Sequence, residues 1–207
     1  GGTKIPPVER FGIGFVQGAK AAKSDIKIMY NYSGTFSDTN KGKTLAATMY
    51  DSGADVIFVA AGNTGNGVIS EAKERGNLDM SKDGEIKHWV VGVDKDQYEE
   101  GIFKGKDKGG KEYQKSVILT SAVKNIEVAV TKILNEIKEN KFEKGEHIFG
   151  IKENGVGLPK ENPNLSDDNK TKIDKAIEEL KSGKVEVVGT GDELKAKGSV
   201  TNLEGEL

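Results

Sequence analysis

Short, nearly continuous apolar runs alternate along this chain with longer segments of helical period, and that alternation narrows the available folds most. The runs are "IKIMYN" (26–31), "DVIFVA" (55–60), "IKHWVVGV" (86–93) and "SVILT" (116–120). Strands apolar on both faces are those of buried parallel sheets. The intervening segments read as helices. Over 7–23, Val8, Phe11, Phe15, Ala19 and Ala22 share one face, and Pro6 and Pro7 suit a first turn. Over 39–52, Leu45, Ala46 and Met49 do the same, and a third helix is expected over 65–75. Strand–helix alternation of this kind gives the α/β class, a parallel sheet covered on both faces.

The second half is patterned differently. A helix is predicted over 122–138 from Val123, Ile126, Val130, Ile133, Leu134 and Ile137. Another is predicted over 167–182 from Ile173, Ala176, Ile177 and Leu180. "HIFGI" (147–151) reads as a short strand and the alternating "KVEVV" (184–188) as an edge strand. "FKGKDKGGKEYQK" (103–115) reads as a solvated loop, 153–166 as an ordered irregular connector, and the tail from Gly189 is polar.

The charges nearly cancel: 31 Lys+Arg against 33 Asp+Glu, net −2. That balance carries no footprint for nucleic acid and no generally basic membrane-binding surface. No apolar run approaches the roughly 18 residues of a membrane span. With 0 Cys, neither disulfides nor thiolate metal sites can form. The opening "GGTKIPPVERFGIGF" sets a glycine pair directly before a helix. Such a pair usually follows a strand, so the chain reads as a piece cut just after one; a short flexible N-terminus is the plainer alternative.

In open parallel sheets, ligands bind beyond the carboxyl ends of the strands. Four loops qualify: "YSGTFSD" with Phe36, "AGNTGNG" with Gly62, "DKDQ" with Asp94 and Asp96, and "SAVKN" with Ser121 and Lys124. An aromatic ring, a glycine turn, carboxylates and a lysine suit a small, polar, ring-containing ligand. Each has a plainer role: Phe36 folding back on its own lobe, the glycines making a tight turn capped by Asn63 or Thr64, Asp94 capping a helix, Lys124 on a first helical turn. "GNTGNG" is neither G-x-G-x-x-G nor a P-loop. Asp94 and Asp96 lack the further oxygens a metal needs. His88 and His147 suit core or edge positions, and no nucleophile–base pairing stands out. No cofactor is implied.

The same loops carry a resemblance. "PPVERFGIGFVQGAK", "YSGTFSDTNKGKTLAATMYDSGADVIFVAAGNTGNGVISEAKERG", "VVGVDKDQ", "SVILTSAVKN" and, weakly, "FGIKENGVGL" resemble the basic membrane protein family of bacterial lipoproteins, which includes purine nucleoside receptors of ABC importers. "AAGNTG", "GVDKDQ" and "LTSAVK" in that order are its most specific part.

The resemblance implies a type I periplasmic-binding-protein fold, two Rossmann-like lobes closing on a ligand, with the first lobe incomplete. Residues 1–119 would be the second lobe without its first strand, and 120–207 the hinge crossings, part of the first lobe and the tail. It implies no enzyme but an extracytoplasmic receptor with an ABC permease as partner and a lipid anchor upstream of this sequence. Phe36 would stack on the purine, backbone at Gly62 would lie against the ligand, Asp94 would take the ribose hydroxyls and Lys124 would donate. Asn63 stands where the family often has glycine, and 77–85 and 103–115 look longer than usual. The same fold as a sensor lipoprotein, or a cytosolic α/β enzyme acting on a sugar or nucleotide, are the rival readings. An incomplete lobe is also expected to self-associate.

Overall fold

The computed structural model describes residues 1–196 and 203–204. In chain order the elements are α1 (Pro6–Ala22), β1 (Ile28–Met29), α2 (Thr39–Asp51), β2 (Val56–Phe58), α3 (Asn63–Lys82), β3 (Trp89–Asp94), a 3-10 turn (Glu99–Gly101), β4 (Ile102–Lys106), β5 (Glu112–Ser116), β6 (Ile118–Lys124), α4 (Ile126–Lys138), β7 (Val156–Gly157), α5 (Asp167–Ser182), α6 (Gly191–Ala196) and β8 (Leu203–Glu204).

The main sheet has the order β2-β3-β6-β7, parallel except for the last pairing. The expected α/β class with a mostly parallel sheet is therefore present. β1 stands apart, paired in parallel with β8. Gly1 and Gly2 connect the loop after β1 to the end of β2. Gly2 N–H donates to Ala60 O at 3.0 Å, while Ser33 and Gly34 N–H donate to Gly1 O and Gly2 O, both at 2.8 Å.

Two apolar clusters result. The larger contains Tyr50, Ile57, Ile69, Val90, Phe103 and Ile118, with α2 and α3 on one side of the sheet. The smaller joins Ile13 and Val16 of α1 to Ile28, Val188 and Leu194. Tyr50 adds a polar tie: its hydroxyl donates to Trp89 O at 3.0 Å, and burial pushes its phenol pKa far up. α2 and α3 approach closely because glycines face each other's backbone. A Cβ on Gly42 would run into Thr64 O, and one on Gly67 into Thr39 O.

Local chemistry explains the ends. Asp38 caps α2 by accepting from Lys41 N–H, and Ser166 caps α5 by accepting from Asn169 N–H. Gly183, at φ +76°, ends α5 in the left-handed conformation that glycine adopts without penalty.

The structure corrects several expectations. Residues 103–115 are no loop but most of an antiparallel hairpin, β4–β5. Phe103 is buried and meets Tyr113 edge-on at 5.9 Å, and the Tyr113 hydroxyl donates to Asn77 Oδ1 at 2.9 Å. The third helix runs over 63–82 rather than 65–75. The strand at 116–120 continues to Lys124, so α4 starts at Ile126. "HIFGI" and "KVEVV" form no strand; among the described residues no strand lies beside them to pair with. Gln17 grips the latter instead, donating to Glu186 O at 2.7 Å and accepting from Val188 N–H at 3.0 Å.

The connector over 153–166 is ordered, as expected. β7 covers the end of β6. Asn164 Nδ2 donates to Ser116 O at 3.0 Å and Ile118 O at 2.7 Å, covering its start. Of the tail from Gly189, positions 197–202 and 205–207 lie outside the described residues. No helix among the described residues is long and apolar enough to cross a membrane.

Candidate functional site

β2, β3 and β6 run parallel, so the segments leaving their carboxyl ends share one edge of the sheet. Gly62 follows β2, Asp94 ends β3 and Lys124 ends β6. Phe36 comes to the same edge from the loop after β1.

Phe36 is 38% exposed, and glycines flank it on two sides. A Cβ on Gly2 would collide with its ring; one on Gly62 would sit 3.2 Å from its carbonyl oxygen and 3.4 Å from its Cβ. Gly62 adopts φ +54°, ψ −135°, a combination open essentially to glycine. The glycine turn thus admits Phe36 first. Of its other glycines, Gly65 lies against Val59 and Gly67 against α2, so both serve packing. The turn has no side-chain helix cap. Thr64, almost fully buried, instead ties the Phe36 loop down. Its hydroxyl donates to Thr35 O at 3.3 Å and accepts from Asp38 N–H at 3.1 Å, while its own N–H donates to Phe36 O at 3.2 Å.

Asp94 and Lys124 meet directly: Lys124 Nζ lies 2.8 Å from Asp94 Oδ1, with side chains 41% and 55% exposed. An ion pair this open to water is worth about 0–1 kcal/mol, so an incoming ligand can replace it cheaply. Asp94 is not a helix cap. It holds φ +70°, one of three positive-φ non-glycine residues among those described. Lys124 is not on a helical turn but is the last residue of β6. Its ammonium also lies 5.0 Å from the centroid of the Phe11 ring, a cation–π contact. Phe11 in turn meets Phe58 edge-on at 5.9 Å. Phe11, on the first turns of α1, therefore lines the site beside Lys124. The sequence assigned it only to a core-facing stripe.

Asp96 points elsewhere, accepting from Tyr98 N–H at 3.0 Å. Ser121 is fully buried within β6. His88 pairs with Asp79 at 2.8 Å away from this edge, and His147 approaches Glu143 O at 2.8 Å. Among the described residues, no group of three or more His, Asp or Glu side chains is placed to hold a metal ion. An aromatic face, a carboxylate, an ammonium and exposed backbone are groups that hold a polar molecule.

Residues 1–189 match the Bmp family, described as ABC transporter substrate-binding protein, PnrA-like. The chain is 41% identical over 188 residues to the ABC transporter nucleoside-binding protein BmpA of Lactococcus lactis subsp. cremoris, an alignment covering 90% of this chain and 51% of that protein. It is 38% identical to the CD4+ T-cell-stimulating antigen of Listeria monocytogenes, covering 90% of this chain and 50% of the antigen. The chain spans about half the length of these relatives. Among solved structures, an ABC transporter solute-binding protein from Aeropyrum pernix superposes with TM-score 0.68 at 24% identity, over 96% of this chain and 61% of that one. A transcriptional activator of the comK gene from Bacillus halodurans superposes with TM-score 0.64 at 21% identity, over 83% and 52%. These two likenesses show the fold.

Proposed function

The chain belongs to the Bmp family of PnrA-like ABC transporter substrate-binding proteins, and on that premise we propose that it forms part of an extracytoplasmic receptor that delivers a purine nucleoside to an ABC permease. The family description is that of a binding protein, not an enzyme. In this reading residues 1–119 belong to the second lobe. Residues from 120 onward cross the hinge, contribute to the first lobe and run into the tail. A lipid at the receptor's N-terminus holds it to the membrane.

The observation that carries the ligand reading is the Asp94–Lys124 pair standing at the sheet edge that also presents Phe36. A carboxylate accepts both hydroxyls of a vicinal diol, and bonds to an ionised acceptor are the stronger kind. A ring beside backbone suits a planar base. Lys124, released from Asp94, donates to the ligand. In this reading the chain supplies one wall of a site between two lobes, so by itself it binds nucleosides weakly or not at all. Tight adenosine or guanosine binding by these 207 residues in calorimetry would overturn the two-lobed reading. The exposed apolar stripe of α4, on the same reading, makes the chain self-associate.

The ligand assignment is tested in a chain extended to the length of its relatives. Asp94→Asn keeps a residue that tolerates the left-handed turn and removes the charge. Losing charged hydrogen bonds worth roughly 1.5–3 kcal/mol weakens ribonucleoside binding about 10- to 150-fold. A 2′,3′-dideoxynucleoside should show little of that loss, whereas Phe36→Ala should weaken both ligands alike. Equal penalties for the two ligands at Asp94 rule out the diol role.

A further inference from the structure

Asp94 is the central residue of a three-residue turn. Its φ is +70°, and Lys95 N–H donates to Val93 O at 2.9 Å across it. A γ-turn with positive φ at its centre is rare and strained. A residue bearing a side chain stays in such a conformation where its surroundings over-determine it.

Besides its ion pair with Lys124 and its place opposite Val123 in the β3–β6 ladder, two side chains bear on this turn. Gln97 Oε1 accepts from the N–H of Val93, the residue before Asp94, at 2.9 Å. Gln97 N–H donates to Ser121 Oγ at 3.1 Å. Ser121 stands opposite Gly92 in the β3–β6 ladder and is fully buried. A Cβ on Gly92 would lie 2.7 Å from Ser121 Oγ and 2.8 Å from Gln97 Oε1, so the glycine leaves the space that these two side chains occupy. The clamp touches both strands that carry the site's charges. Val93 precedes Asp94 on β3, and Ser121 lies on β6 three residues before Lys124.

We propose that Gln97 and Ser121 are positioning residues for Asp94: together they fix its turn, so that the carboxylate stands beside Lys124 at the ligand edge of the sheet. The proposal rests on reading Asp94 as the ligand's carboxylate, but its test needs no ligand. A merely structural Gln97 would steady the following 3-10 turn and leave the Asp94 backbone unchanged.

The experiment is NMR on this chain, isotope-labelled. A left-handed residue has a short HN–Hα distance and a correspondingly intense intraresidue Overhauser effect. Asp94 should show it in the parent chain. Gln97→Met keeps the side chain's length and removes the acceptor; the effect should fall to the level of neighbouring extended residues. Gln97→Glu keeps an acceptor oxygen and should retain it. Ser121→Ala removes one buried oxygen and should reduce it in the same direction, which provides a reading should Gln97→Met fail to fold. Asp94 keeping its left-handed signature in both Gln97→Met and Ser121→Ala overturns the proposal. Loss of the signature in Gln97→Glu as well as Gln97→Met also overturns it, because side-chain identity rather than the accepted hydrogen bond would then matter. Failure of the nucleoside reading looks different: in the extended chain, ribonucleoside affinity would stay unchanged in a variant whose Asp94 has demonstrably moved.

Discussion

Helices α3 and α4 flank strands of the same sheet, yet α3 buries residues along its whole length, from Thr64 to Met80, and α4 buries none. By sequence the order should be reversed. α4 carries the cleaner stripe, Ile126, Val130, Leu134 and Ile137, whereas α3 is interrupted by Gly65, Gly67 and Gly76. The glycines are the reason α3 is buried. Gly67 admits the backbone of α2, and a Cβ on Gly76 would press to 3.0 Å against both Phe103 and Val117. Periodicity records which face of a helix expects cover. Whether the cover exists depends on neighbours, and among the described residues α4's stripe is left largely open: Leu134 is 59% exposed and Ile126 64%.

The comparison breaks most easily at α3. Gly67→Val would place a branched side chain against the Thr39 carbonyl and Lys43 amide of α2. Backbone cannot swing aside as a side chain can, so the cost should reach about 3 kcal/mol or more, the upper range for overpacking. Urea unfolding reads it as a lower midpoint with unchanged slope. A change below about 1 kcal/mol would mean that the two helices are not closely seated.

The next effect lies at the seam between the two halves. Asn164→Ala strips the donor from Ser116 O and Ile118 O, which Asn164 Nδ2 serves together. Leaving buried carbonyls without partners costs about 1–3 kcal/mol. Hydrogen exchange should then speed up in β6 while α2 keeps its protection. Uniform loosening of both would show that the connector does not brace β6 in particular.

Asp94 gives a smaller effect with a diagnostic order. At φ +70° a side chain costs roughly 1–2 kcal/mol, and Asp tolerates this better than Ala. Asp94→Ala should therefore destabilise by about 1 kcal/mol. Asp94→Gly, which removes the same carboxylate, should stay within about 0.5 kcal/mol of the parent, since relief of strain offsets the entropy glycine adds to the unfolded chain. Equal melting temperatures for the two variants would show that the turn is not strained.

What was legible in the sequence follows the same division. The four strand runs, the helices between them and the carboxyl-edge loops could be read because strand and helix periods differ and each element found its neighbour. Phe36, Gly62, Asp94 and Lys124 do come to that edge. "HIFGI" and "KVEVV" had strand patterns without a partner, and pattern alone cannot supply one. The β4–β5 hairpin was hidden by its charges, although Gly109 and Gly110 mark its turn and Phe103 and Tyr113 its inward face. Phe11 was hidden by its place in a core-like stripe. Gln97 and Ser121 were visible as letters in "DKDQ" and "SAVKN", but a loop residue tied to one strand by its side chain and to another by its backbone N–H has no signature in either segment.

The smallest expected change in stability separates the halves most clearly. Val130→Ser with Leu134→Ser removes two apolar side chains that are already at least half in water, Val130 at 50% exposure and Leu134 at 59%. Exposed positions of this kind usually shift stability by no more than about 0.5 kcal/mol, and the unfolding midpoint at low protein concentration should hardly move. Association should respond differently. If a second copy covers the stripe, each side chain gains the rest of its burial in the pair, and together they contribute on the order of 1–3 kcal/mol to it. That corresponds to roughly a 5- to 150-fold weaker dimer. Sedimentation of the parent chain across a wide concentration range should show association, and the double variant should shift it to higher concentration. A parent that stays monomeric throughout would mean that α4 lies open to water with nothing of this chain's own to cover it. A double variant that unfolds as readily as Gly67→Val would mean that α4 is packed after all, and the contrast with α3 would disappear.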